Sequence, residues 1–263
     1  MSTSTSPTKS PTASTPLGDV VTLYRAYVAG KLNQLTSQVD QLRSAAVTGN
    51  RPVAQQRWLT AQFTWQQVGA SYGSFGAYGT AISGLASGLP KGTADPAFVG
   101  LHRIELGVFG EENMNRVLSY VNKLAADVAK LRANLDKLDI DPKGMPLRCH
   151  ETLEDSLRDH LSGNDDYGSG MAYALTAGDL LATRELLTEL KPLIPIGIPG
   201  HNLYDLSSAA LDALQAVLNA TKVQGAWPDF RRQTKHQRQP VNASIGATLE
   251  VLYQIPFALG RLS

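Results

Sequence analysis

The sequence predicts an all-α protein, an elongated antiparallel helical bundle. Three observations carry this. Apolar residues recur at steps of three and four along most of the chain, the period of a helix with one buried face. No stretch shows the period of two that a half-buried strand requires. The periodic segments are divided by short breaks rich in Gly, Pro, Asn and Asp, and several are long enough to cross a whole domain. Roughly eight helices result, too many for one four-helix bundle. The preferred arrangement is two four-helix bundles packed in line. The glycine-rich region and the segment around His102 then lie near the junction. One elongated bundle is the alternative, and periodicity does not separate the two.

The elements follow in order. Residues 1–16 are almost entirely Ser, Thr and Pro with Ala and Lys, which cannot bury apolar surface and is expected to be disordered. Residues 17–263 form the helical domain. The first helix carries Val21, Tyr24, Val28, Leu32, Leu35, Val39, Leu42 and Ala46 on one face. Asn50-Arg51-Pro52 ends it and starts a second helix, expected to run to about Ser71, since Pro is well placed in a first turn. Seven glycines between 69 and 93 then argue for loop or broken helix, because each costs about 1 kcal/mol against Ala in a helix interior. A short helical piece is expected over 81–89. A short helix over 96–109 follows, stopped by Gly110. The cleanest amphipathic stripe is Met114, Val117, Val121, Leu124, Val128, Leu131, Leu135 and Leu138. Further helices are expected over 146–161, 170–190, 202–223 and 241–262. Loops at 162–166 and 191–200, and a basic Gln-rich connection over 231–239, separate them.

Composition excludes several classes. A net charge of +1 gives no reason to expect nucleic acid or an anionic surface as partner. No apolar run reaches the roughly 18 residues of a membrane span, and no secretory signal is visible. The single cysteine, Cys149, rules out a disulfide framework and a cysteine-rich zinc site. His150 follows it directly, but neighbours on a helix point about 100° apart, so the two do not make a catalytic dyad. The zinc-protease helix, the hydrolase nucleophile elbow and the phosphate-binding loop are all missing.

One cluster stands out. Gly100-Leu101-His102-Arg103-Ile104-Glu105 places His102 and Glu105 three residues apart, on one helical face. An imidazole and a carboxylate at that spacing can hold one metal ion. They can equally be a capping arrangement or a buried hydrogen-bonded couple, since two ligands alone do not complete a site. His150 and Glu154 share a second helix face and could add ligands, though a solvated face explains them better. Asp165 and Asp166 sit in a polar loop and are read as exposed, and His201 and His236 as surface residues. The run Arg231, Arg232, Lys235, His236 and Arg238 is read as a solvated loop ahead of an anion-binding patch.

These residues carry a resemblance. Gly-Leu-His-Arg-Ile-Glu with Phe109 beyond it resembles the Gly-Phe-His-Arg-Ile-Glu…Trp segment of the imelysin-like family, which includes EfeO-type iron-uptake lipoproteins. Ser74-Phe75-Gly76, the long helix after the motif, the helix over 151–155 and Pro192-Leu193-Ile194 occur in matching order. The resemblance implies an all-α protein of two four-helix bundles outside the cytoplasmic membrane, often lipid-anchored, working with a membrane iron permease and a haem peroxidase. It implies His102 and Glu105 as ligands for iron or another divalent or trivalent metal. The tail over 2–16 is similar to the tether of bacterial lipoproteins, with a plain disordered tail as the alternative. The family carries a peptidase label, but the motif shows no hydrolytic machinery.

The chain also departs from the family. Acidic positions around Ser-Phe-Gly read here as Gln66, Gly69, Gly73, Ala77 and Gly79, and a later His is replaced near Tyr167-Gly168-Ser169-Gly170. Losing anionic donors weakens a site for a hard cation. Asp95 is a candidate substitute. The expected function is therefore an extracytoplasmic metal-binding component of an iron-uptake system. A same-fold scaffold with a vestigial site is the alternative.

Overall fold

A computed structural model describes residues 16–197 and 202–260, with residues 70–72 described by backbone alone. Of the expected tail over 1–16, residues 1–15 lie outside the described residues, as does His201, while Pro16 opens the first helix. The described residues are helical, apart from loops and one isolated bridge between Val223 and Ala226.

Helix α1 spans Pro16–Val47 and buries the predicted stripe from Leu17 to Ala46. Helix α2 spans Arg51–Gln66. Asn50 caps it by accepting the Val53 N–H, which satisfies one of the free donors of the first turn. It stops at Gln66, short of the expected Ser71, and the chain tightens into a 3₁₀ segment over Gly69–Phe75. Helix α3, Ala77–Ser83, precedes the expected 81–89 piece, because the backbone turns extended at Gly84.

Helix α4 spans Gly100–Phe109. Gly100 has φ +82°, and a Cβ there would lie 2.3 Å from the Ile82 carbonyl oxygen, so only glycine lets α4 start against α3. Helix α5 spans Met114–Asn134 and α6 spans Met145–Asp155. Helix α6 runs on into one π-type turn, Ser156–His160. Helices α7 and α8 span Ala172–Leu190 and Leu203–Ala220. Helix α9, Lys235–Leu252, starts six residues before the expected Val241. A Thr234/Gln237 capping box sets that start, and Pro240 is carried inside the helix rather than opening it. Helix α10 spans Gln254–Leu259.

Packing sorts the helices into two sets. Helix α1 lies along α2 and α5, and α4 packs on α5 and α2. Helix α6 lies on α7 and α9, and α8 on α9 and α7. These sets are compatible with two bundles, and α7 joins them by crossing α2 and α1. One continuous apolar core runs through both. The α2–α7 crossing is close, because a Cβ on Gly178 would lie 2.8 Å from the Gln66 Cβ. The candidate site sits beside that crossing.

Candidate metal centre

Helix α4 is buried on nearly every side, so its three polar side chains must each find a partner. Arg103 turns toward α5. It makes two hydrogen bonds to Glu112, at 2.8 and 2.7 Å, and lies over the Tyr120 ring at 4.0 Å. Ile104 enters the core. His102 and Glu105 face the other way, as their spacing predicts. His102 Nδ1 lies 3.4 Å from Glu105 Oε2.

Glu105 is 1% exposed, and burial pushes its carboxyl above the usual carboxylate range. Its other oxygen, Oε1, accepts the backbone N–H groups of Tyr167 at 3.2 Å and Ser169 at 3.1 Å. The loop before α7 is thereby fastened to α4. The Tyr167 ring packs on His102 at 5.4 Å and on Phe98 at 5.0 Å, and its hydroxyl accepts the Ala86 N–H at 2.8 Å. Trp58 holds the start of α4 by donating to the Leu101 carbonyl at 2.8 Å.

His102 borders a cavity of about 170 Å³ between α2, α4, α6 and α7. His160, Asp165 and Asp179 line the same cavity. His160 has both ring nitrogens engaged: Nδ1 with Asp165 Oδ2, and Nε2 with Asp179 Oδ2 at 2.9 Å. The Ser156 hydroxyl donates to the same Asp179 oxygen at 2.5 Å. Burial alone would lower the His160 pKa, but the two carboxylates outweigh it and hold the imidazolium well above its ordinary value. Burial likewise opposes ionisation of Asp165, yet the charge and hydrogen bond of His160 pull that carboxyl below its usual range. Asp179 is pushed up by its burial.

A further polar side chain reaches the cavity from α2. Gln66 lines it; Gln62, one turn earlier on α2 and outside the cavity lining, buries both side-chain amide atoms without a partner among the described residues. Such atoms call for water or a bound group. The volume admits several waters.

The other sequence candidates lie elsewhere. Asp95 closes a turn, accepting N–H groups of Lys91 and Ala97, and does not line the cavity. His150 pairs with Glu154 at 3.4 Å and packs on Tyr253, away from the cavity. Cys149 is fully buried, and burial pushes its thiol up, which disfavours the thiolate that a nucleophile requires. Two residues of the basic run are tied down, Arg231 by pairing with Asp229 and Arg238 by donating to the Phe230 carbonyl, while Arg232, Lys235 and His236 are exposed. Asp165 corrects its sequence reading, since it is 4% exposed rather than solvated. The polar loop folds inward because His160 offers it a buried cation. Sequence reasoning missed His160 altogether. The signal lay in the i, i+5 spacing of His160 and Asp165, which helical periodicity passes over. Among the described residues no group of three or more His, Cys, Asp and Glu side chains is arranged to hold a metal ion.

Residues 20–184, more than half of the chain, match the family model of the imelysin peptidases. The chain belongs to the imelysin family. Among curated relatives, the iron uptake system component EfeO of Escherichia coli is 21% identical over 244 residues. The alignment covers 93% of this chain and 64% of that protein. The Shigella flexneri iron uptake system component EfeO matches to the same extent. The chain thus spans just under two thirds of the length of these relatives.

Proposed function

We propose that this imelysin-family chain is the extracytoplasmic metal-binding component of an EfeO-type iron-uptake system. It takes iron, or another divalent or trivalent metal, at the cavity bordered by His102. The observation that carries this is the buried His102–Glu105 pair, with His102 lining a cavity that His160, Asp165 and Asp179 also line, together with similarity to relatives named for iron uptake. The cargo is a metal ion rather than a resident cofactor. The work asked of the chain is to bind it, exclude bulk water and release it. Its partners in this role are a membrane iron permease and a haem peroxidase. No described helix is long and apolar enough to cross a membrane, so delivery requires a separate permease.

Calorimetric titration with Fe²⁺, Fe³⁺ and Zn²⁺ tests this. Binding is expected in the wild type and lost in a His102→Ala/Glu105→Ala double variant. Unchanged binding in the double variant would sink the site assignment.

A second reading is favoured by one observation: no complete ligand group is assembled among the described residues. In that case the same fold serves as a scaffold with a vestigial site. A folded wild type that retains no metal after incubation and dialysis would establish it.

A further inference from the structure

We infer that a groove along the first turns of α9 binds a phosphate-bearing ligand. The inference uses neither His102 nor the proposed metal site. The sequence reads 231–239 as a basic connection, but the fold turns its second half into helix, since α9 starts at Lys235. Lys235, Arg238, Gln239 and Asn242 then stand at i, i+3, i+4 and i+7, which is one helical face. With His236 they line a groove of about 800 Å³, to which Leu161 and Ser162 also contribute. No carboxylate lines it. The chain has no acid between Asp229 and Glu250, although its net charge as a whole is only +1. The nearest acids in sequence are already engaged: Asp229 accepts from Arg231 at 2.7 Å, and Asp159 from Arg158 at 2.7 Å. Lys235 and His236 are exposed and have no partner among the described residues, and the same holds for the side-chain amides of Gln239 and Asn242. Arg238 lies over the Phe230 ring at 3.9 Å and donates to its carbonyl at 2.9 Å, yet its Nε is buried without a partner among the described residues. The Thr234/Gln237 capping box takes up the Gln237 N–H, so side chains rather than the helix end make the site.

The lining selects the ligand's chemistry. It offers positive charge and spare donors with no internal counter-charge, so it calls for an anion. A carboxylate is matched best by an arginine fork, and the arginine here is turned onto Phe230. A phosphate group carries up to two charges on three free oxygens that point in different directions. It fits a lysine point charge flanked by imidazole and amide donors. None of the exposed large apolar side chains lines the groove, so it has neither a wedge for a bilayer nor a platform on which bases or sugars stack. The groove is larger than one phosphate ion. Its ligand therefore carries further phosphates or a body attached to one, as in a phosphate chain or a lipid headgroup.

The test titrates the full chain with inorganic tripolyphosphate at low salt and follows backbone ¹H–¹⁵N spectra. Shifts are expected over residues 235–243 and at Leu161 and Ser162, and they should fade toward 1 M salt, where screening acts over about 3 Å. Lys235 is exposed, so Lys235→Gln should keep the urea midpoint of the wild type. It should weaken binding about 5–10-fold, one charge-assisted contact discounted for its exposure. Lys91 is exposed and outside the groove, so Lys91→Gln removes the same charge and should leave the affinity unchanged. Vesicles of phosphatidylcholine with and without phosphatidylglycerol separate the two sources. Co-sedimentation that needs phosphatidylglycerol and is lost in Lys235→Gln assigns the phosphate to a lipid headgroup. Tripolyphosphate binding without co-sedimentation assigns it to a free ligand. Failure to bind either probe overturns the inference. So do equal losses in Lys235→Gln and Lys91→Gln, which would mark unspecific attraction, and so do shifts that map away from α9.

Discussion

His102 and His160 line one cavity and are wired in different ways. His160 gives both nitrogens to carboxylates, while His102 gives one. The difference teaches how to read a buried histidine. With acids on both nitrogens, it is a cation that offsets buried negative charge and has no lone pair to offer. With an acid on one nitrogen, it keeps a lone pair for a ligand. His160 therefore ties the residues around it together, and His102 is the histidine on which the proposed metal site rests.

The largest break in that comparison is His160→Ala. It leaves Asp165 and Asp179 buried without their shared cation. Removing one partner of a buried ion pair costs about 3–5 kcal/mol. Urea unfolding should show this as a lowered midpoint with an unchanged slope. A loss below about 1 kcal/mol would mean that the trio is solvated and that His160 is no more a clamp than a surface residue.

The pH dependence sharpens the same contrast. The folded pKa of His160 is raised, so its stabilisation is complete below about pH 6.5 and drains away as pH rises through the folded value. Asp165 is lowered, so its contribution is complete above about pH 3.9 and is lost as pH falls through its folded value. Thermal melts of the wild type should therefore decline on the alkaline side. Those of His160→Gln should lose most of that decline. An alkaline slope that survives the substitution would assign it to some other group.

The two histidines also differ in how legible they were. The α4 wall could be read because Gly100 to Glu105 follow the 3.6-residue period, and i, i+3 spacing needs no tertiary knowledge. The long amphipathic helices α1 and α5 were legible for the same reason. The His160 wall was not. The π-type turn over Ser156–His160 inserts an extra residue into the helix and re-aims the ring, and a period count passes over such a turn. Asp165 was read as exposed because its loop is polar in sequence. Its burial depends on a partner that only the fold supplies. The broken stretch after α2 was legible as broken, but the exact pieces depend on where Gly84 and Gly100 let backbones approach.

The smallest effect is expected at the cavity's outer edge. Arg158 lines the cavity but is 61% exposed, and it pairs with Asp155 at 2.8 Å and Asp159 at 2.7 Å. Exposed pairs of this kind contribute about 0–1 kcal/mol, because water already screens them and ordering the long side chain costs entropy. Arg158→Ala should therefore change the urea midpoint little. It removes one positive charge beside Asp155 and Asp159, so a cation entering the cavity meets a more negative mouth. Zinc affinity should rise slightly, by a factor of about 2–5 at low salt, and that gain should vanish near 1 M salt, where screening acts over about 3 Å. A large stability loss in Arg158→Ala would place the clamping charge at the mouth rather than at His160, and would reverse the ranking of the two walls.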